Sequence, residues 1–357
     1  MIVAGGGTGG HLFPGLAVAE TVAGRAGGAV LFVGSSFGIE ARVIPRTTFS
    51  FHALPIRGVR GRGVRGLLQL AWQLPTAIAS AWRVLGSFRA HVVLGVGGYA
   101  SFPVVAAAWL RRVPSVLLEQ NAHPGLANRV LSRLAARVCT MFPEAHAYFP
   151  ATKVVLTGNP VRRLIGAERV PRSGFTLLVF GGSQGAHRIN EALMAAAPAL
   201  RGAIAGLRIL HQTGAADRAE VERQYREAGA SAEVQEFIDD MGTAYAAADL
   251  VVCRAGATTV AELTSLGKPA ILVPYPFAAD DHQRANASVL AARGAAVMIL
   301  DRDLSGDGLA RMVTELANDR ARLAAMASAA RALAIPDAAE RVVEVCREVV
   351  GEVGIDG

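Results

Sequence analysis

The sequence predicts an α/β protein built from two doubly wound parallel sheets. The chain has 357 residues, enough for about two domains of ordinary size. Short apolar runs rich in β-branched residues alternate with helical patterns, as in parallel sheets covered by helices on both faces. Each half also opens with a strand, a glycine-rich turn and a helix, so we expect two similar domains.

Eight strands are predicted, four in each half. They cover residues 2–4, 30–33, 92–94 and 116–118, and then 176–180, 208–210, 250–252 and 270–273. Asn159-Pro160 separates the halves, because proline disfavours helix at the preceding residue. We predict a first domain at 1–160, a second at 161–335, and an amphipathic helix at 336–357. That helix can pack on either domain, and we expect it to return to the first.

Charge is divided unequally between the halves. Residues 1–160 hold 15 Lys/Arg and four acids, a balance of +11, whereas residues 161–357 hold 21 Lys/Arg and 25 acids, a balance of −4. The first domain should therefore be drawn to anions. A chain that is 52% hydrophobic and 18% charged is not a disordered one.

Cysteine spacing and hydropathy exclude further classes. Cys139, Cys253 and Cys346 lie far apart, which argues against a disulfide framework or a cysteine zinc site and favours a reducing cytosol. The start Met-Ile-Val-Ala leaves no room for a signal peptide. The uncharged stretches 66–82 and 90–110 contain proline or several glycines, and a spanning helix needs about 20 apolar residues. We predict no transmembrane helix.

Residues 65–89 interleave large apolar residues with few polar ones, and arginines surround them. Two interpretations stay open on these residues alone. Apolar side chains rimmed by arginine suit the surface of an anionic bilayer. A buried helix pair with a solvated basic loop accounts for the same pattern.

The first glycine turn, GGGTGGH at residues 5–11, follows the first strand. Glycines let the backbone approach an anion, and the N-terminus of the next helix offers unpaired N–H groups. An NAD site wants an acid after the second strand for the ribose, and residues 33–36 have none. We therefore expect a phosphate or pyrophosphate here. His11 begins the helix, where its neutral form, as a base requires, is favoured.

Further polar groups follow other predicted strands, at the edge where ligands of open α/β sheets collect. In the first half these are Tyr99 and the Glu119-Gln120-Asn121 segment, where Glu119 is either functional or paired with an arginine. In the second half, GGSQGA at 181–186 offers Ser183 as a phosphate ligand, and Glu262 offers a carboxylate for ribose hydroxyls. The acids near 280 and 301 lack a metal-ligand spacing, so we predict no metal and no cofactor.

Taken together, the motifs GGGTGGH, GVGGY, EQN, GNPVR, GGSQGA, FIDDM, RAGATTVAE and HQRANA run in one order over nearly the whole chain. This order closely resembles the MurG family, the peptidoglycan N-acetylglucosaminyltransferases of glycosyltransferase family 28. The resemblance implies a GT-B fold, with two Rossmann-like domains facing a central cleft. It implies inverting transfer of N-acetylglucosamine from UDP-N-acetylglucosamine to the C4 hydroxyl of the muramoyl sugar of lipid I, forming lipid II. It also implies a peripheral position on the cytoplasmic face of the bacterial plasma membrane.

The resemblance also implies roles for individual residues. In the second half, the resemblance assigns donor binding to Arg162, Ser183, Asn190, Ile238, Ala257, Thr258, Thr259, Val260, Ala261, Glu262, Gln283 and Asn286. In the first half, Thr8, Gly9, Gly10 and Asn121 close over the donor or the acceptor diphosphate. His11, Tyr99 and Glu119 lie near the acceptor, with His11 preferred to Glu119 as the base. One departure from the family pattern is Leu118, where many members carry a histidine before Glu-Gln-Asn.

Other functions fit parts of the pattern. A UDP-sugar 2-epimerase or a GT-B transferase acting on another lipid shares the expected fold, but an epimerase leaves residues 65–89 unexplained. An NAD-dependent oxidoreductase and a non-catalytic nucleotide-sugar binding protein fit less well. We expect UDP-N-acetylglucosamine, lipid I and an anionic membrane surface contacted through residues 65–89 as partners, and no nucleic acid.

Overall fold

The computed structural model describes residues 1–25, 27–58, 63–161, 174–182 and 185–355, with the side chains of 63–71 and 353–355 left aside. The chain divides into two compact units. The first comprises Met1–Arg162 together with Ile335–Gly357, and the second comprises Arg163–Ala334.

In the first unit the described residues form a parallel sheet of seven strands. The strands are β1 (Ile2–Gly5), β2 (Leu31–Ser35), β3 (Ser50–Leu54), β4 (Val93–Gly97), β5 (Ser115–Glu119), β6 (Arg137–Thr140) and β7 (Val154–Leu156). Their order is β3-β2-β1-β4-β5-β6-β7. The chain reverses its direction of travel across the sheet between β1 and β4, and ligands of such sheets bind beyond the strand ends at this switch point.

Helices cover both faces of this sheet. The first five are α1 (Gly9–Ala23), α2 (Glu40–Val43), α3 (Gly63–Ser87), α4 (Ser101–Leu110) and α5 (Leu126–Leu131). Successive residues of a strand face opposite sides, so Ile2 packs with the buried residues of α3 and α4 whereas Val3 packs with α1.

The second unit repeats this architecture. Its described strands are β8 (Phe175–Phe180), β9 (Leu207–Gln212), β10 (Ala232–Gln235), β11 (Leu250–Cys253), β12 (Ala270–Leu272) and β13 (Ala296–Met298). They are parallel, in the order β10-β9-β8-β11-β12-β13. The helices are α6 (His187–Ala203), α7 (Arg218–Glu227), α8 (Met241–Ala247), α9 (Ala257–Leu266), α10 (His282–Ala292), α11 (Gly306–Asn318) and α12 (Arg320–Ala332). The switch point lies between β8 and β11.

The last helix, α13 (Ala338–Ile355), packs on the first unit. Val342, Cys346 and Val349 are buried in one cluster with Leu12 and Leu16 of α1. The helix therefore completes the face of the first sheet that α1 covers.

The predicted α/β class with two doubly wound sheets is confirmed, and all eight predicted strands are present. Five further strands, β3, β6, β7, β10 and β13, were not predicted. They are short, between three and five residues long, and several carry polar residues at the edge of a sheet. Residues 90–110 form β4, a turn and α4, as predicted.

The proposed helix pair within residues 65–89 is wrong, because one continuous helix, α3, runs from Gly63 to Ser87 with Pro75 inside it. Its second half buries Ala77, Ala81 and Leu85. Trp72, in contrast, is 82% exposed. Among the residues described, no helix is long and apolar enough to cross a membrane.

Candidate functional site

The first glycine turn is held by a buried carboxylate. Gly5, Gly6 and Gly7 have φ values of +132°, +141° and +87°, a region that residues with a Cβ rarely adopt. Glu40 is 1% exposed. Its Oε2 accepts the Gly7 N–H at 2.7 Å, and its Oε1 accepts the Ser35 N–H at 2.9 Å.

No role for Glu40 was predicted from sequence. A Cβ on Gly6 would lie 2.3 Å from the carboxyl carbon of Glu40, so the glycine is required for this close approach. The available signal was that Glu40 is one of only four acids in the basic half.

Thr8 and His11 meet where α1 begins. Thr8 occupies the N-cap position, but within the described structure its side chain makes no cap hydrogen bond. Its Oγ1 lies 3.0 Å from His11 Nδ1 instead. The side chain therefore leaves the first N–H groups of α1, including those of Gly9 and Gly10, uncapped, and such groups bind anions.

The last residue of β4 and a tyrosine from the loop that follows it border this turn. A Cβ on Gly97 would lie 2.7 Å from His11 Cδ2, and a Cβ on Gly7 would lie 3.4 Å from Tyr99 Cε1. The structure thus brings Thr8, His11 and Tyr99 together at the switch point of the first sheet.

Glu119 ends β5 and is 2% exposed. Its Oε1 accepts the backbone N–H and the side-chain Nδ2 of Asn121, at 2.9 and 3.2 Å, and its Oε2 accepts Asn128 Nδ2 at 2.9 Å. Burial raises the pKa of Glu119, and these hydrogen bonds partly oppose that effect. The donors of these three hydrogen bonds are amide N–H groups and not the guanidinium of an arginine. This arrangement holds the loop that carries Asn121.

The second glycine turn follows β8 in the second unit. Gly182 and Gly185 have φ values of +97° and +75°. A Cβ on Gly185 would overlap the Thr213 carbonyl oxygen, and Gln212 Nε2 donates to the Gly182 carbonyl at 2.6 Å. Ser183, predicted to bind phosphate, lies outside the described residues, as does Arg162.

Asn190 belongs to a buried network behind this turn. Its Nδ2 donates to the Thr213 carbonyl at 3.0 Å and to Asp217 Oδ2 at 2.7 Å. Its Oδ1 lies 3.0 Å from His211 Nε2, and Tyr225 Oη lies 2.8 Å from His211 Nδ1. Burial lowers the pKa of His211 to about 3, so the ring is neutral at pH 7. An amide oxygen only accepts, so Nε2 carries the hydrogen and Tyr225 donates.

These contacts use every polar group of the Asn190 side chain, which is 1% exposed. They favour a supporting role for Asn190. Direct contact with the sugar, which the resemblance implies, stays a prediction. Asp217 extends the network to His187 Nδ1 at 2.9 Å, at the first residue of α6.

The α9 helix begins after a small-residue turn. Its N-cap residue is Gly256, which has no side chain to cap the first N–H groups. Thr258 Oγ1 is buried without a hydrogen-bond partner among the described residues. The side chains of Val260 and Ala261 are buried, so only their backbone is suited to contact a ligand. The turn therefore offers backbone N–H groups to an anion.

Glu262 lies one turn farther along α9 and is half-buried. Its Oε2 accepts a hydrogen bond from the Tyr245 hydroxyl at 2.9 Å. Burial raises the pKa of Tyr245 well above its usual range, with the charge of Glu262 adding to the effect. The phenol therefore stays protonated and fixes one oxygen of the carboxylate.

Two cavities of the second unit contain predicted site residues. One, of about 440 Å³, is lined by Gly181, Gly185, Arg254, Tyr275 and Gln283, among others. Another, of about 270 Å³, is lined by Ile238, with Leu210, Gln235 and Thr243 nearby.

Gln283 shapes the larger cavity. Its Oε1 accepts the N–H groups of Ala255 and Tyr275 at 3.2 and 2.9 Å, so within the described part of the chain Nε2 is the group suited to meet a ligand. Asn286 is fully buried, and its Nδ2 donates to the Ala255 carbonyl at 3.2 Å. Among the described residues, no group of three or more His, Cys, Asp and Glu side chains is placed to hold a metal ion.

Both halves of the chain match the two domains of one known family. The models of the glycosyltransferase family 28 N-terminal domain and C-terminal domain match residues 1–140 and 176–342. A relative from Anaeromyxobacter sp. (strain K) is 50% identical over 98% of this chain and 93% of its own length. Its name is "UDP-N-acetylglucosamine--N-acetylmuramyl-(pentapeptide) pyrophosphoryl-undecaprenol N-acetylglucosamine transferase".

Two solved structures are also similar to the chain. The crystal structure of Acinetobacter baumannii MurG has a TM-score of 0.80 and 34% identity, covering 97% of this chain and 98% of that one. A UDP-N-acetylglucosamine 2-epimerase has a TM-score of 0.73, covering 99% of this chain and 96% of that one. At 12% identity the epimerase shows a shared fold alone.

Proposed function

The chain belongs to glycosyltransferase family 28, and from this membership we propose that it transfers N-acetylglucosamine from UDP-N-acetylglucosamine to lipid I in peptidoglycan synthesis. The observation that carries the proposal is the 50% identity, over 98% of the chain, to a transferase named for this reaction. The 2-epimerase alternative is not favoured, since its likeness is limited to the fold.

Donor binding is assigned to the second unit. The uncapped start of α9 and the second glycine turn hold the diphosphate through backbone N–H groups. Glu262, with one oxygen fixed by Tyr245, accepts the ribose hydroxyls. Ile238 contacts the uracil in the 270 Å³ cavity, and Gln283 Nε2 meets the sugar. Arg162 and Ser183 keep their predicted roles near the uracil and the diphosphate.

Acceptor binding is assigned to the first unit. The uncapped N–H groups of Gly9 and Gly10, with Asn121, face a diphosphate. His11 is the better candidate for the base because it is half-buried, whereas Glu119 is 2% exposed and accepts three hydrogen bonds. Glu119 then acts by holding the Asn121 loop.

The reaction is a single displacement with inversion at the anomeric carbon. The C4 hydroxyl of the muramoyl sugar attacks C1 of N-acetylglucosamine, and the C1–O bond to the diphosphate breaks. His11 takes the hydroxyl proton as the new bond forms. Negative charge develops on the departing diphosphate, and fixed N–H groups at helix N-termini stabilise it where it develops.

We also propose peripheral binding at the cytoplasmic face of the plasma membrane. Support comes from exposed apolar residues of two helices, Trp72 and Trp82 of α3 with Trp109 and Leu110 at the end of α4. These residues are 82%, 38%, 54% and 51% exposed. The Arg111 guanidinium lies 4.6 Å from the centre of the Trp82 ring. Exposed indoles next to arginines suit an anionic lipid surface.

Incubation of the protein with radiolabelled UDP-N-acetylglucosamine and lipid I tests the proposed reaction. The label should appear in the lipid fraction, with one N-acetylglucosamine added to each lipid I molecule. Formation of a UDP-sugar epimer without labelled lipid would instead support the epimerase.

A further inference from the structure

Thr8 occupies the N-cap position of α1 without capping the helix. N-cap threonines usually accept a hydrogen bond from the backbone N–H of the second or third helical residue. Here no such side-chain bond forms within the described structure, and Oγ1 lies 3.0 Å from Nδ1 of His11, the third residue of the helix. The hydroxyl therefore contacts the imidazole instead of the helix backbone.

The opposite edge of the His11 ring lies against the end of β4. A Cβ on Gly97 would stand 2.7 Å from His11 Cδ2 and 3.0 Å from Nε2. Gly97 also has a φ of +96°, so two independent constraints favour glycine here. The ring is thus held by Thr8 at Nδ1 and packed against Gly97 along its Cδ2–Nε2 edge.

The position of one hydrogen decides what this ring can do. A neutral imidazole carries a hydrogen on one nitrogen and a lone pair on the other. A base that accepts a proton at Nε2 must carry its hydrogen on Nδ1, and that N–H then donates to Thr8 Oγ1. If the Thr8 hydroxyl donated to Nδ1, Nε2 would already carry a hydrogen and accept none.

We propose that Thr8 is a positioning residue that holds His11 with its hydrogen on Nδ1, so that Nε2 receives the proton of the acceptor hydroxyl. This inference rests on the proposed function, because the proton is released as the C4 oxygen bonds to C1 and the UDP oxygen leaves with the electron pair of the broken C1–O bond. The Nδ1–H bond to Thr8 is kept before and after the transfer. Thr8 thus acts through His11 and not by binding a diphosphate.

Nitrogen-15 NMR of protein labelled at histidine tests the tautomer directly. The His11 signals are assigned by their loss in H11Q. Wild type and T8S should carry the hydrogen on Nδ1, and T8V, which keeps the shape but loses Oγ1, should shift toward hydrogen on Nε2. Hydrogen on Nε2 in wild type, or an unchanged tautomer in T8V, would overturn the proposal. Circular dichroism of each variant confirms that it is folded.

Kinetics give a second, independent readout. T8V should lower kcat about tenfold, the effect of one lost hydrogen bond, with the KM for UDP-N-acetylglucosamine within about twofold of wild type. T8S should recover most of the loss. In the H11A background, T8V should lower kcat little further, because Thr8 acts only through the His11 side chain. A raised KM with unchanged kcat would instead make Thr8 a substrate ligand.

The two proposals fail separately. The NMR measurement needs no turnover, so a wild-type protein that transfers no sugar to lipid I would refute the proposed function and leave the tautomer readable. An active wild type with hydrogen on Nε2 would refute the role of Thr8 alone.

Discussion

The Tyr245 hydroxyl donates a hydrogen bond to Oε2 of Glu262 at 2.9 Å. Tyr245 is fully buried, and its raised pKa keeps the hydroxyl protonated. The phenol therefore orients the carboxylate before any ligand arrives, and such preorganisation lowers the cost of binding.

Replacement of Glu262 should weaken donor binding. In E262A the KM for UDP-N-acetylglucosamine should rise about 10- to 100-fold, the value of hydrogen bonds to a charged group. Y245F should raise it less, about fivefold, because the carboxylate remains but loses its anchor. Steady-state kinetics at saturating acceptor measure both variants. An unchanged KM in E262A would refute the ribose-binding role.

Replacement of Glu40 should destabilise the first unit. An amide in E40Q cannot accept from both the Gly7 and the Ser35 N–H groups, so we expect a loss of about 1–3 kcal/mol. A lowered melting temperature and faster amide exchange at Gly7 and Ser35 should report this loss. The matched control is E20Q, an exposed position on α1, where little change is expected. Equal melting temperatures in E40Q and E20Q would contradict this role of Glu40.

The buried His211 should make stability depend on pH. Its pKa is about 3 in the folded protein and about 6.5 when unfolded. Below pH 6.5 the unfolded chain therefore binds the extra proton, and stability falls by up to about 1.4 kcal/mol for each pH unit until pH 3.

H211Q removes this titration. The unfolding free energy of wild type should therefore fall more steeply than that of H211Q between pH 7 and pH 5, by about 2 kcal/mol in total. Urea denaturation, monitored by circular dichroism, measures the unfolding free energy of both proteins at each pH. Taking the difference between wild type and H211Q removes the contribution of the other titrating groups, which both proteins share. Parallel pH profiles would show that His211 is not protonated on unfolding.

The exposed tryptophans of α3 and α4 should bind anionic bilayers. Burial of an exposed indole contributes about 2 kcal/mol, so W72Q should bind phosphatidylglycerol vesicles more than tenfold more weakly in sedimentation assays. L156Q, at an exposed apolar residue of β7 in the same unit, should bind like wild type. Added salt should weaken wild-type binding if the arginines contribute. Equal vesicle binding by W72Q and L156Q would show that the membrane contact does not involve Trp72.

The buried strands of both sheets could be predicted from the sequence, because short continuous apolar runs such as Leu250–Cys253, bounded by turn residues, are typical of strands covered on both faces. The edge strands were missed. β10, with the sequence AEVQ, has one large apolar residue, and its pairing depends on the neighbouring β9, which local pattern does not show. The helix pair considered for residues 65–89 is one continuous helix, because α3 runs through Pro75 and packs against α4.

The site was predicted in part for similar reasons. Glycine turns are local in sequence, so both were recognised. Glu40 is 33 residues from Gly7, and only the folded sheet brings them together. Asn190 was predicted to bind the donor, whereas its contacts with Asp217 and His211 depend on neighbouring strand ends that the local sequence does not show.

The release of UDP in the presence and absence of lipid I tests the central claim most directly. We predict that wild type releases one UDP for each N-acetylglucosamine that enters the lipid, that omitting lipid I nearly abolishes release, and that E262A needs far more donor for the same rate. UDP release at an equal rate without lipid I, or conversion of the donor to an epimer with no sugar in the lipid, would contradict it.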